Sequence, residues 1–269
     1  MPKILEINHL KYSYPNESLF NDLNLSIEEN TFTTIIGNNK SGKTTLIKLI
    51  CGLLNSKNSI VAGYAYVNNA RIHDNSRFFG VVFSDVDNKF LFETVYKEMA
   101  FPLENLNIPV EEIEEKILSI SKEFNITTLL DKKIEDLTNS EKQELLVVIS
   151  LLHEPKVLLL DNCFSMMNKK TKEKIILNLK KRIINKELTV ILTTTNLEDI
   201  IESDYTFVLH NGDIVMEGES KSVLREEKVL NHVGLELPFM IDLSLKLEFY
   251  NLLEEEITDM DRMVDTLWK

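Results

Sequence analysis

Residues 37–44 read GNNKSGKT, and they stand between an apolar, β-rich run, FTTIIG, and a run with helical spacing, KTTLIKLICGLL. A strand that turns through a G-x-x-x-x-G-K-[ST] loop into a helix restricts the fold more than any other feature of this chain. The backbone N–H groups of such a loop, with a helix N-terminus behind them, form a cradle for phosphate. Gly37, Asn38, Asn39, Lys40, Ser41, Gly42, Lys43, Thr44 and Thr45 are therefore the candidate nucleotide-binding residues. Lys43 is expected on the β- and γ-phosphates, and the Thr44 hydroxyl on magnesium.

A second apolar strand, KVLLLD, ends in Asp161, the expected outer partner of that magnesium. Around it, strand and helix patterns alternate: KVLLLD, KKTKEKIILNLKKRI, LTVILT, LEDIIESD and YTFVLH. Such alternation predicts a mostly parallel sheet with helices on both faces. The N-terminal runs KILEINHLKYSY and SLFNDLNLSIEE alternate apolar and polar residues, as half-buried strands do, and two or three short strands are expected within 61–83. Between about 88 and 153 the pattern is helical; Ile113, Ile117, Ile120 and Phe124 share one face. HNGD at 210–213 reads as a hairpin turn into IVMEG. The last 45 residues or so read as helical and acidic.

The chain has 269 residues, enough for one large domain or a domain with an appendage. Its 30 basic and 43 acidic residues leave a net charge of −13, which argues against a partner read through a nucleic-acid backbone. Cys51 and Cys163 make no disulfide framework, and no Cys/His cluster has zinc spacing; two buried thiols suit a reducing cytosol. The five histidines, His9, His73, His153, His210 and His232, are scattered without ligand spacing. The N-terminus lacks the apolar core of a signal peptide, and the longest apolar run, LLVVISLL, is far short of a membrane span. A role at a membrane therefore implies a partner there.

Between the loop and Asp161 lies LTNSEKQELLVVISLLHEPKVLLLD, which resembles the signature-to-Walker-B block of ATP-binding cassette (ABC) ATPases, L-S-G-G-Q, a helix, then a strand ending D-E. The order along the chain also fits: Tyr14 as an adenine-stacking aromatic, the phosphate loop, a switch loop at VVFSDVDNKF, the signature and the magnesium strand. The stretch VVFSDVDNKFLFETVYKEMAFPLENLNIPVEEI and the tail VGLELPFMIDLSLKL…DMDRMVDTLW are similar to the ATPase components of energy-coupling factor (ECF) importers of vitamins and metals. The resemblance implies an α/β fold of the P-loop NTPase, ABC type: a mostly parallel core sheet with an antiparallel β subdomain and a helical subdomain at about 88–155. It further implies an ATPase domain over 1–225 and a C-terminal helical extension, 226–269, as a dimer contact. Leu235, Leu237, Phe239, Ile241 and Leu245 in that tail suit a core or a dimer interface equally.

The departures from the family pattern fall at its working positions. Lys40 stands where the family has a loop glycine, Ser84 where it has the switch glutamine, and Asn162 where it has the catalytic glutamate. Thr195 replaces the switch histidine, and Asn168 the aspartate of the loop at the dimer contact. The signature reads Thr138, Asn139, Ser140, Glu141, with a carboxylate expected to repel a phosphate carried by a second subunit. An amide at 162 orients water but takes no proton, and a positioned general base contributes about 10²–10⁴ in rate. Lys43, Thr44 and Asp161 remain, so the expected chain binds Mg–ATP at a dimer interface and hydrolyses it poorly or not at all.

By resemblance, its partners are a second ABC ATPase subunit, in a heterodimer rather than a homodimer, a membrane T-component and a substrate-binding S-component. Its place would be the cytoplasmic face of the membrane. The alternative is a non-hydrolysing, nucleotide-gated scaffold on a membrane complex.

Overall fold

The computed structural model describes residues 2–54, 60–67, 70–71, 78–86, 89–253 and 260–267. Residues 87–88 of the expected switch loop and His73 lie outside the described residues. The long N-terminal strands β1 (Lys3–Tyr14) and β2 (Glu17–Glu28) form an antiparallel pair, as their alternation requires. The register slips between Ile7 and Leu10, where His9 takes a positive φ of 52°. A bulge there lets Ile7 and Leu10 both face the core. With β4 (Ile60–Val67) and β5 (Ala70–Arg71) they make a four-stranded sheet in the order β2-β1-β4-β5.

The strand before the phosphate loop, β3 (Phe32–Ile36), is buried at every residue. A strand with no wet face belongs in the middle of a parallel sheet, and β3 lies between β8 (Thr189–Thr194) and β9 (Tyr205–His210), parallel to both. The six-stranded sheet runs β10-β9-β3-β8-β7-β6, with β6 spanning Phe79–Phe83, β7 Val157–Asp161 and β10 Asp213–Glu219. Only β10 runs antiparallel, through the hairpin that HNGD encodes. This is the ABC-type P-loop architecture that the resemblance implies.

The helix after the loop, α1 (Lys43–Ile50), fills the gap between the two sheets with Leu46, Ile47 and Ile50, against Ile7, Leu23 and Ile35. Helices α2 (Val95–Glu104), α3 (Val110–Glu123) and α4 (Asn139–Leu151) share a core with α5 (Lys169–Ile184) and the other face of the parallel sheet. Ile113, Ile117, Ile120 and Phe124 are all buried in it, as their spacing predicts. The segment 197–202 is a 3-10 helix rather than the α-helix its pattern suggests; Asn196 caps it through Glu198 N.

Short helices α6 (Ser220–Leu224) and α7 (Glu227–His232) lead into α8 (Phe239–Phe249) and α9 (Met260–Leu267). Leu230, Val233, Leu235 and Ile241 pack on Ile36, Leu197, Ile200 and Val208, so the tail rests on the sheet beside the phosphate loop. Leu235 and Ile241 are thus core residues, whereas Phe239 is 67% exposed.

Candidate nucleotide site

Parallel β3 ends where open α/β sheets place their ligands, outside the carboxyl ends of the strands. Gly37 is needed there because the next strand passes against it: a methyl group on Gly37 would lie 2.1 Å from Leu209 O. Gly42 turns the chain into α1 with φ 110°. Lys40 also occupies the left-handed region, with φ 68°, at a position exposed to solvent. That conformation favours glycine, so the turn carries the strain expected of a side chain there.

No side chain caps α1, and its first turn holds no acidic residue. Its leading N–H groups and the positive end of its dipole are thus left to an anion. Lys43 is 7% exposed and its ammonium donates to Gly37 O at 2.6 Å, Asn38 O at 2.8 Å and Ser41 Oγ at 3.3 Å. It holds the loop closed from inside. Burial lowers its pKa from an ordinary 10.5 to about 8, against the opposing pull of Asp161. A desolvated ammonium gains when a polyanion arrives.

The Thr44 hydroxyl donates to Asp161 Oδ2 at 2.8 Å across 117 residues of sequence. The other oxygen of Asp161 accepts from Thr193 Oγ1 at 2.6 Å, and the carboxylate is 4% exposed. A hydroxyl and a carboxylate in contact at the end of a buried strand are the hard oxygen donors that magnesium takes, with phosphate and water completing its shell. The residues present therefore fit the metal, which would neutralise phosphate charge there. Tyr14 lies beside the loop: its hydroxyl meets Thr45 Oγ1 at 3.0 Å and its ring stands edge-on to Tyr12.

Asn162 follows Asp161 with φ 52°, a backbone conformation that asparagine tolerates better than most residues. Its N–H donates to Thr193 O at 2.8 Å, and its side-chain amide donates to Ser165 Oγ at 3.4 Å. Asn162 and Thr195 both line a cavity of about 980 Å³, which Pro238–Ile241 at the start of α8 also line. Ser84 is half-buried and follows Phe83, the register partner of Asp161. The loop, Asp161, Asn162, Ser84 and Thr195 thus gather at one end of the sheet.

The signature residues form a separate group. The Glu141 carboxylate is turned back onto the first turn of its own helix and stays partly exposed. Glu141 Oε2 accepts from Thr138 N at 2.8 Å and from Thr138 Oγ1 at 2.9 Å, while Glu141 N donates to Thr138 Oγ1 at 3.2 Å. This is a capping box, which the pattern T-x-x-E encodes. The Thr138 N–H holds the carboxyl below its usual range, with Lys132 at 3.6 Å assisting. Ser140 Oγ accepts from the backbone and side-chain nitrogens of Asn168, both at 3.1 Å, and Asn168 in turn caps α5 at Thr171 N. Asn139 is exposed in the first turn of α4.

Several contacts escape a reading of the sequence. Thr193 supports Asp161 because β7 and β8 pair in register at those residues. Next to it, Thr194 Oγ1 bonds to Asp199, which is also paired with Lys172 of α5. Asn38 donates from its side chain to Val233 O at 2.5 Å, across 195 residues. No local pattern announces contacts of that range.

Comparison with known proteins agrees with this geometry. The ABC transporter family profile matches residues 20–165, more than half of the chain. The energy-coupling factor transporter ATP-binding protein EcfA1 of Lactobacillus delbrueckii subsp. bulgaricus is 30% identical over 99% of this chain and 97% of its own. EcfA of Enterococcus faecium, of the same description, is 30% identical over 100% of this chain and 98% of its own. Among solved structures, cbiO1 from Clostridium perfringens, part of the ABC transporter complex cbiONQ, superposes with a TM-score of 0.76 at 27% identity, covering 88% of this chain and 97% of that one. A nucleotide-free ATP-binding cassette from an ABC transporter gives 0.74 at 22% identity over 85% of this chain and 98% of that one, a likeness of fold alone. The phosphate loop, the strand that brings Asp161 to it and these relatives together place the chain in the ABC transporter family, as an ATP-binding cassette that resembles the ATP-binding components of energy-coupling factor transporters.

Proposed function

We propose that this chain is an ATP-binding subunit of an ECF-type importer, one that grips Mg–ATP but leaves its cleavage to a second ATPase subunit. The observation that carries the reading is the Thr44–Asp161 contact, a donor pair that suits magnesium, beside an amide at Asn162 that takes no proton. Gly37 to Thr45 would hold the phosphates, Lys43 the β- and γ-phosphates, and Tyr14 the base. Asn162, Ser84 and Thr195 occupy the positions from which the family cleaves, without a carboxylate, amide or imidazole long enough to do so.

Bound nucleotide then serves by mass action: a ligand that binds only the closed pair stabilises it by RT ln(1 + [L]/Kd), about 2.7 kcal/mol at a hundredfold excess over Kd. The relatives' names are those of ATP-binding proteins of energy-coupling factor transporters; the setting that fits this reading is a pair of ATPase subunits on a membrane component that moves as the pair closes. No helix among the described residues is long and apolar enough to cross a membrane, so contact with the bilayer would come through that component. The 226–269 segment is the proposed second dimer contact, in a heterodimer.

The test is made on the complex purified from native cells through a tag on this chain. Asp161→Ala here is expected to lower bound nucleotide and leave a residual turnover, while the same change in the partner ATPase abolishes turnover. Turnover lost on Asp161→Ala and kept on the partner's change would overturn the assignment. A complex that binds ATP and never turns it over would favour the nucleotide-gated scaffold.

A further inference from the structure

The phosphate loop is held from two sides at one residue. The backbone carbonyl of Asn38 accepts from Lys43 Nζ at 2.8 Å, and its side-chain amide donates to Val233 O at 2.5 Å. Val233 ends α7, and Gly234 follows with φ 75°. Leu235 N then bonds back to Leu230 O at 2.8 Å, closing the helix with a Schellman turn. Gly234 answers two needs, the left-handed turn and the close approach: a methyl there would lie 2.6 Å from Asn38 Nδ2. Leu235 is buried with Ile36, the residue before the loop, so the junction is packed as well as bonded. Further along, Pro238–Ile241 line the same cavity as Asn162 and Thr195.

We propose that Asn38 couples occupancy of the phosphate loop to the placement of residues 233–241, so that the C-terminal segment reports whether a triphosphate is bound. This rests on the reading that the loop binds ATP. Lys43 has two sets of acceptors available to it. With the loop closed on itself, the ammonium holds Gly37 O and Asn38 O. When phosphate oxygens draw it away, those carbonyls lose their donor and the 37–39 segment relaxes. The Asn38 amide is bonded to Val233 O at 2.5 Å, so a displacement of the 37–39 backbone must either pull residue 233 with it or break that bond. The Schellman turn loosens, and with it the start of α8. Linkage makes the effect reciprocal: a partner that holds 233–241 in its displaced position tightens nucleotide binding by the same factor. Asn38 is a positioning residue here, acting through the tail rather than on the reacting atoms.

Hydrogen exchange on the full-length chain, with and without saturating Mg–ATP, tests it. The amides of Val233, Gly234 and Leu235 are expected to exchange about 2- to 12-fold faster with nucleotide, the range that one net hydrogen bond spans. Asn38→Ala, titrated to the same saturation, is expected to show fast exchange in both states and no response. Gly234→Ala, which lies outside the loop, is expected to do the same and serves if Asn38→Ala binds no nucleotide. Unchanged or slower exchange in the wild-type chain at saturation, or a full response in either variant, overturns the coupling. Calorimetry on the same samples separates the two readings: no binding of Mg–ATP removes the proposed function and the coupling with it, whereas binding without an exchange response removes the coupling alone.

Discussion

Glu141→Ala should destabilise the start of α4 measurably, and Glu141→Gln should do so much less. In the wild-type chain the carboxylate accepts two hydrogen bonds from Thr138, through N at 2.8 Å and Oγ1 at 2.9 Å. Alanine removes both and leaves the Thr138 N–H to solvent. Lost caps of this kind cost about 0.5–2 kcal/mol, and the charge on the acceptor places this one at about 1–2 kcal/mol. Glutamine keeps a carbonyl oxygen in the same place. It loses the charge, and with it the charge assistance to those bonds, the interaction with the helix dipole of about 0.3–1 kcal/mol, and an exposed pair with Lys132 that adds little.

Thermal melts at pH 7 should therefore rank wild type above Gln above Ala. The Ala variant should fall about 2–4 °C below wild type for a chain of this size. Hydrogen exchange at the amides of α4's first turn should follow the same order. The sign of the pH dependence follows from the lowered carboxyl pKa, whose largest cause is the Thr138 N–H. Stability from the ionised form is present above the unfolded pKa and is lost as pH falls through the folded one. The gap between wild type and Gln should thus close in acid. An Ala variant as stable as the Gln variant would show that the bonds to Thr138 contribute nothing, and the capping account of this signature would fail.

Two further outcomes follow from the loop. Lys40→Gly should raise stability by about 0.5–1 kcal/mol, since the left-handed cost of about 1–2 kcal/mol outweighs glycine's entropy in the unfolded chain, about 0.4–1 kcal/mol; urea titration checks it, and a loss of stability would refute the strain at φ 68°. In metal-free buffer, the buried charge of Lys43 opposes folding below its pKa of about 8 and is shed as pH rises toward 10.5, so wild type should gain stability over that interval relative to Lys43→Met. Melts from pH 7 to 10 that run parallel for the two chains would contradict it.

Much of this molecule is written in short stretches of sequence. FTTII between polar neighbours reads as a central strand, and all five of its residues are buried. The loop motif and the strand ending at Asp161 mark the site because each carries its chemistry within a few residues. Thr138 and Glu141 also carry a local signal, since T-x-x-E states the hydrogen-bond pattern of a helix cap; it says nothing of a distant phosphate. The tail contact of Asn38 and the roles of Thr193 and Asp199 stay silent in the sequence. Their partners are set by strand register and by the path of the tail, which only the assembled sheet determines. The 3-10 form of 197–202 is of the same kind: Asp199 is drawn to Thr194 and Lys172, and tertiary bonds override the helical pattern.

The bond between Asn38 and Val233 also bears on how the protein is made. At about 5–20 residues per second of synthesis, a partner 195 residues downstream leaves the ribosome roughly 10–40 s after Asn38 does. The strand, loop and first helix can form in that interval, but the loop has no hold on the tail until translation has passed α7. A nascent chain arrested before that point would carry a nucleotide cradle cut off from the segment it is proposed to move.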